Sequence, residues 1–335
     1  MAIYKGNKKV VAVYKGSTPI NKIYKGGTLV FQKGGGGSTH LFEGTATGNF
    51  NLKVNGQRIP ITPDADGKWF YDTDEKITSL NDAFYNQRNV TSVDLSNFDL
   101  TGISTNSMFD GSSNITSIKF NNTKSMKLVN ANNMFAKCSA LVSLDLKSFD
   151  TSSLKSANYL FQGCSSLVSL DLSNWNTSNF TYANGLFSHC SKLVSLDLKS
   201  FDTSSLTSAS SLFNGCSSLV SLDLSNWDTS NLTDARFLFA NCSSLVSLNL
   251  SSFNTSKLQN ANGLFSNCTS LETLDLSNFD LSKATSYQDM FKDCTSLSTI
   301  KCKQTFKDWC ITNQDTISLP TTMREGGSGT WEIID

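Results

Sequence analysis

The sequence predicts an α/β solenoid of about nine 26-residue strand–turn–helix units, with a small antiparallel β module at the N-terminus and β caps. Three observations predict it. Seven of the nine cysteines, Cys138, Cys164, Cys190, Cys216, Cys242, Cys268 and Cys294, stand 26 residues apart. Aliphatic–aromatic pairs keep the same period from Met108-Phe109 through Leu186-Phe187 to Met290-Phe291, with Ala83-Phe84 as a degenerate first copy and one early spacing of 25. The run from Cys164 to Trp175 returns unchanged from Cys216 to Trp227, so a 52-residue period lies over the shorter one. A fixed period marks one supersecondary unit stacked on copies of itself. Such a chain presents a surface, which puts binding ahead of chemistry. The expected organisation is a basic β anchor (1–33), a glycine-rich linker (34–40), an N-terminal β cap (41–79), the repeats (80–302) and a C-terminal cap (303–335).

The anchor contains Tyr4-Lys5-Gly6, Tyr14-Lys15-Gly16 and Tyr24-Lys25-Gly26, followed by Asn, Ser and Gly, which are two-residue hairpin signals. Four short strands are expected, near 2–5, 9–15, 20–25 and 28–32. A segment this small needs a partner to fold against, either copies of itself or a larger body. It carries seven lysines and no acid, so the rest of the chain, with 21 basic against 28 acidic residues, is net negative. Lysine and tyrosine follow strand alternation, so a charged strand face is expected and nucleic-acid binding is not. The module resembles the Tyr-Lys-Gly-rich N-termini of virion proteins in phages of gut Bacteroidetes. That resemblance implies docking to a capsid or tail protein through Tyr4, Lys5, Tyr14, Lys15, Tyr24 and Lys25, with homo-oligomerisation as an option. Gly34 to Ser38 then form a flexible tether.

In the N-terminal cap, Asn55-Gly56 between Phe50–Val54 and Arg58–Ile61 is a hairpin signal, and Asp66-Gly67 turns the chain into Lys68–Tyr71. Trp69 and Tyr71 are placed to cover the first repeat. At the far end Ile300-Lys301-Cys302 replaces the usual Leu-x-Leu, and Phe306, Trp309 and the Trp331 strand read as the C-terminal cap.

Within a unit, Leu167, Leu170 and Leu172 give the Leu-x-x-Leu-x-Leu pattern of a leucine-rich repeat. Leu170 and Leu172 alternate with Ser169, Asp171 and Ser173, a short strand with one buried face. Thr177-Ser178 suits a turn and helix start. Ala183, Leu186, Phe187 and Cys190 fall at i, i+3, i+4 and i+7, one face of a short helix. Strands ~4.8 Å apart would make the stack roughly 40 Å long. The full pattern, Met/Leu-Phe-x-x-Cys-x-x-Leu-x-x-Leu-Asp-Leu-x-x-Phe/Trp-x-Thr-Ser, closely resembles the BspA-like leucine-rich repeat of bacterial surface proteins over residues 83–302. That resemblance implies a curved solenoid and an adhesive role.

No apolar core follows the first lysines, so no secretory signal is expected, and no stretch approaches the length of a membrane span. A phage virion protein, made in the bacterial cytoplasm and released by lysis, needs neither; a bacterial cell-surface adhesin is the alternative location.

Candidate chemistry follows the columns. The periodic thiols end an apolar stripe and read as small core residues, with no metal or cofactor expected; Cys302 and Cys310 are expected to be free. Phe149, Trp175, Phe201, Trp227, Phe253 and Phe279 read as a buried ladder. Asn-Thr-Ser at Asn176 and Asn254 reads as turn chemistry. Asp145, Asp171, Asp197, Asp223 and Asp275, interrupted by Asn249, occupy outward strand positions beside Ser143, Ser169, Ser195, Ser221 and Ser247. Like charges one rung apart are costly unless offset, and Lys147 and Lys199 can offset alternate rungs. This strip is the candidate surface for a host glycan or protein. Catalysis is not expected. The two histidines, His40 and His189, belong to no nucleophile–base set. The carboxylates a glycan depolymerase would need are reiterated rather than singled out.

Overall fold

The computed structural model describes residues 40–334 throughout and, ahead of them, the backbone of six short strands. These six form three antiparallel hairpins: Ile3–Lys5 with Lys8–Val10, Tyr14–Lys15 with Thr18–Pro19, and Lys22–Lys25 with Thr28–Gln32. The expected four strands are thus six, because each Tyr-Lys-Gly leads into its own turn.

The predicted α/β solenoid with a helix in every unit is not what the chain forms. Gln304–Thr312 is the one α-helix among the described residues, and the strands are short and grouped in small sheets. The stretches expected to be helical are runs of turns. In the unit around Phe187, Gly185 and His189 are both left-handed, each with φ +59°. Equivalent pairs recur in neighbouring units, including Tyr159 with Gly163, Ser211 with Gly215, and Phe237 with Asn241. Two left-handed residues four apart end any α-helix before it completes a second turn.

The backbone hydrogen bonds show what replaces it. Leu186 N–H donates to the Ala183 carbonyl (3.3 Å), Ser188 to Gly185 (3.0 Å) and Cys190 to Phe187 (3.0 Å), each closing a four-residue turn. The intervening amides leave the unit: Ala183 donates to Ser208 (3.1 Å), Gly185 to Ser210 (2.8 Å), Phe187 to Leu212 (3.0 Å) and His189 to Asn214 (2.6 Å). A left-handed third residue is the mark of a type II turn. Every other amide therefore serves a local turn, and the rest bond the following unit.

The core sits between these turns and the strand side. Phe84, Phe109, Phe135, Phe161, Phe187, Phe213, Phe239, Phe265 and Phe291 stack ring on ring, with centroids 5.1–5.9 Å apart and planes within 4–13°. Beside them each periodic cysteine donates its S–H to the carbonyl of the preceding unit's phenylalanine, with Sγ···O distances of 3.0–3.3 Å. All nine cysteines are buried and free, Cys302 and Cys310 among them. The Phe149–Phe279 column is buried as well, with Trp175 over Phe201 and Trp227 over Phe253.

Thr177, expected at a helix start, instead bridges units. It is buried, its hydroxyl donates to the Asp202 carbonyl (2.9 Å) and accepts from the Asp202 amide (2.8 Å). Thr151, Thr229 and Thr255 make the same two bonds. Single parallel bridges join Ser156, Tyr182, Ser208, Asp234, Asn260 and Ser286 in succession, holding the 26-residue register.

At the N-terminal end, Phe42–Ala46 lies between Lys68–Tyr71 and Val90–Asp94 and runs antiparallel to both. Trp69 is buried against Phe50 and Phe84, at 5.1 and 5.7 Å between ring centroids. The Phe50–Val54/Gln57–Ile61 hairpin turns at Asn55-Gly56, where both residues have positive φ. At the other end Thr330–Ile334 pairs parallel with Thr299–Lys303, and Trp331 Nε1 donates to the Met323 carbonyl (3.2 Å).

Candidate functional site

The sequence Leu-Val-Ser-Leu-Asp-Leu has three inward leucines, so Val, Ser and Asp are left outside. Where strands form here they are parallel and in register: Ser221 faces Ser247 and Asp223 faces Asn249. Ser143, Ser169, Ser195, Ser221 and Ser247 are all exposed, as are Asp145, Asp171, Asp197 and Asp223, while Asp275 is half-buried.

Each aspartate has a structural duty. One carboxylate oxygen accepts the amide two residues on: Lys147 onto Asp145 (3.1 Å), Ser173 onto Asp171 (3.1 Å), Lys199 onto Asp197 (3.0 Å), Ser225 onto Asp223 (3.1 Å) and Ser277 onto Asp275 (3.1 Å). Asn249 does the same with Ser251 (3.1 Å), which is why an amide can interrupt the column. These are Asx turns that end the strand. The Ser173 and Ser225 hydroxyls and amides hold the Asp171 and Asp223 carboxyls below the usual range, with Lys147 and Lys199 adding smaller pulls. At the edges Asp94 meets Lys119 (3.6 Å) and Asp275 meets Lys301 (2.9 Å), so the uncompensated charge lies centrally. The strip is an array of ionised acceptors. A general acid needs the opposite shift.

A column missed in the sequence lies beside it. Val142, Val168, Val194, Val220 and Val246 are 53, 44, 49, 47 and 50% exposed on five successive units. Their backbones are joined across units, Val194 N–H to the Val168 carbonyl at 3.4 Å and Val246 to Val220 at 2.9 Å. Thr116 and Glu272 continue the column at either end as exposed polar residues. The signal was available as a valine recurring every 26 residues directly after an inward leucine.

The remaining sequence candidates are placed as follows. Asn176 Oδ1 accepts from the Ser178 amide (3.1 Å) and Asn254 Oδ1 from the Ser256 amide (3.1 Å), both turn-forming. His189 sits in the left-handed column over Gly215. His40 Nδ1 is 2.6 Å from the buried Asp72 carboxylate, and its ring stacks on Phe70. The side chains of Tyr4, Lys5, Tyr14, Lys15, Tyr24 and Lys25 lie outside the described residues; their backbones lead into the three hairpin turns. Among the described residues no group of three or more His, Cys, Asp or Glu side chains is placed to hold a metal ion. None of their helices is long and apolar enough to cross a membrane.

A family model described as "Mycoplasma protein of unknown function, DUF285" matches residues 78–195 and again 181–309. No match was found among curated proteins.

Proposed function

The chain belongs to the Mycoplasma family of unknown function DUF285, and we propose that it is a non-catalytic display protein whose Val–Ser–Asp face binds a host-surface glycan or protein. The carrying observation is the valine column. Of the apolar side chains that repeat in every unit, these alone are left half-exposed, on five adjacent units, beside hydroxyls and ionised carboxylates. Covering the exposed half of one valine is worth about 1 kcal/mol, so the ladder offers about 4–5 kcal/mol to a partner that runs along it. The lowered Asp171 and Asp223 carboxyls accept hydrogen bonds from hydroxyl or ammonium groups but do not deliver protons, which speaks against a depolymerase.

In this reading the basic hairpins of residues 1–33 dock the chain to capsid or tail proteins of a phage particle, as a head fibre, decoration or tail-associated protein, alone or as an oligomer. The virion is made in the bacterial cytoplasm and released by lysis. The description of the matched family as a Mycoplasma protein favours a second reading, a bacterial cell-surface adhesin.

The test has two parts. Immunogold labelling of lysate fractions separates particles from cell surfaces, and label on neither rejects both locations. Binding of the purified chain to intact host cells is then compared with that of the double variant Val168→Lys and Val194→Lys. At least about tenfold weaker binding is expected; equal binding by a folded variant rejects the face.

A further inference from the structure

The opposite, turn-lined side of the molecule holds a cleft of ≈ 490 Å³ where the N-terminal hairpin meets the first units, lined by Asn51, Lys53, Arg58, Asp82, Tyr85, Gln87, Ser107 and Asp110. The hairpin is sewn on along one edge. Lys53 N–H donates to the Ala83 carbonyl (2.9 Å), Asn55 N–H to Ser79 (2.9 Å), and Asn51 N–H to Gln87 Oε1 (3.2 Å). Asp82 and Ser107 contribute from left-handed positions, φ +57° and +51°.

The charges lining the cleft are not all used up by one another. Lys53 Nζ bonds Asp82 Oδ2 at 2.8 Å. Arg58 is exposed and in no ion pair among the described residues. Asp110 Oδ1 is buried and without a hydrogen-bond partner, with Lys137 Nζ no closer than 3.7 Å. A buried acceptor without a donor is costly and asks for one. Burial also pushes the Asp110 carboxyl up from its ordinary value. Beside these groups the Tyr85 ring is 46% exposed.

Ligand chemistry follows by matching. Asp82 and Asp110 repel an anion, and Lys53 and Arg58 repel a cation. A wholly apolar molecule would strand the Asp110 oxygen. A ring that is apolar on one face and carries hydroxyls at its edge suits every group present: Tyr85 for the face, Arg58 as donor, Asp110 and Asn51 as acceptor-bearing partners. The volume is within the range of small-molecule clefts. We infer that the cleft between the N-terminal hairpin and the first units is a saccharide subsite, separate from the valine–aspartate face and taking an uncharged pyranose.

The experiment is calorimetric titration of the full chain with glucose, galactose, mannose, N-acetylglucosamine and N-acetylgalactosamine, each to about 50 mM, an upper bound for weak single-sugar affinity. At least one is expected to bind. Tyr85→Ala and Arg58→Ala, both on exposed side chains, should each weaken it at least about tenfold, and Asp110→Asn should weaken it without unfolding the protein. The Val168→Lys/Val194→Lys variant should bind it as the parent does, which separates this cleft from the display face. Binding of none of the five overturns the inference, and so does binding that survives both Tyr85→Ala and Arg58→Ala or is lost with the valine variant.

Discussion

Replacing Gly163 by alanine distinguishes turns from helices by the sign of its effect. Gly163 has φ +72°, and a Cβ built there comes no nearer than 3.4 Å to any heavy atom, those of Lys137. Space therefore contributes little, and the backbone decides. An L-residue in the left-handed region costs about 1 kcal/mol or more relative to glycine. In a helix interior the same change gains about 1 kcal/mol. The two architectures thus differ by about 2 kcal/mol with opposite signs. Gly185→Ala adds a clash, since its Cβ would sit 2.4 Å from Tyr159 Cδ1 and 2.6 Å from Cε1. Tyr159 is 39% exposed and can swing away, so the added loss is about 1 kcal/mol, the scale of a displaced ring contact. Tyr159→Ala in the same chain should remove that excess and leave the backbone cost, a coupling that a double-mutant cycle reads directly. Urea midpoints followed by tryptophan fluorescence report both values. A rise in midpoint for Gly163→Ala refutes the turn architecture, and a Gly185→Ala deficit indifferent to Tyr159→Ala refutes the ring contact.

Three further outcomes are expected. Asp150, Asp202, Asp228 and Asp280 have carboxyls lowered by bonds from Ser152, Ser204, Ser230 and Ser282, as Asp171 and Asp223 have from their own serines. Such carboxyls bind protons more weakly folded than unfolded, so their support is complete above the unfolded value of about 4 and fades as pH falls through the lower folded values. Urea midpoints should therefore be flat from about pH 7 to 5 and drop below about 4; a midpoint that rises on acidification contradicts the Asx turns. Burial pushes the Cys190, Cys242 and Cys294 thiols up to about 12, so iodoacetamide at pH 8 should leave them unmodified until urea unfolds the chain, and rapid native labelling would show the interior is open. Phe213→Ala should cost about 3–5 kcal/mol. By contrast Trp175→Phe should stay within about 1 kcal/mol, because the buried Trp175 Nε1 has no acceptor to lose; a larger loss in calorimetry would mean the indole N–H is bonded.

Legibility differed sharply between columns. The 26-residue period and the burial of Phe187, Cys190, Trp175 and the leucines followed from spacing and side-chain chemistry, and the structure places them inside. The Val142–Val246 column was equally periodic, yet a valine beside a leucine reads as core until the direction of each side chain is known. The helix was misread because Ala183, Leu186, Phe187 and Cys190 have the inward spacing of a helix face, and successive four-residue turns give the same spacing. The contrary signal was local: glycine at 163, 185, 215 and 263, and asparagine at 133, 241 and 267, recur inside the supposed helices. The cleft at Asp110 was not legible, since it is built from a hairpin and two units that meet only in space.

By itself the sequence determined the repeat length, the residues that face inward, and the acidic balance set against a basic N-terminus. These are sums over side chains, and solvent sorts side chains by type wherever the backbone runs. Only the tertiary structure decided where each amide finds its acceptor. Phe187 N–H bonds Leu212, 25 residues away, instead of a carbonyl one turn back. That choice is available only once a neighbouring unit is present to offer the carbonyl, so it belongs to the stack and not to any one repeat.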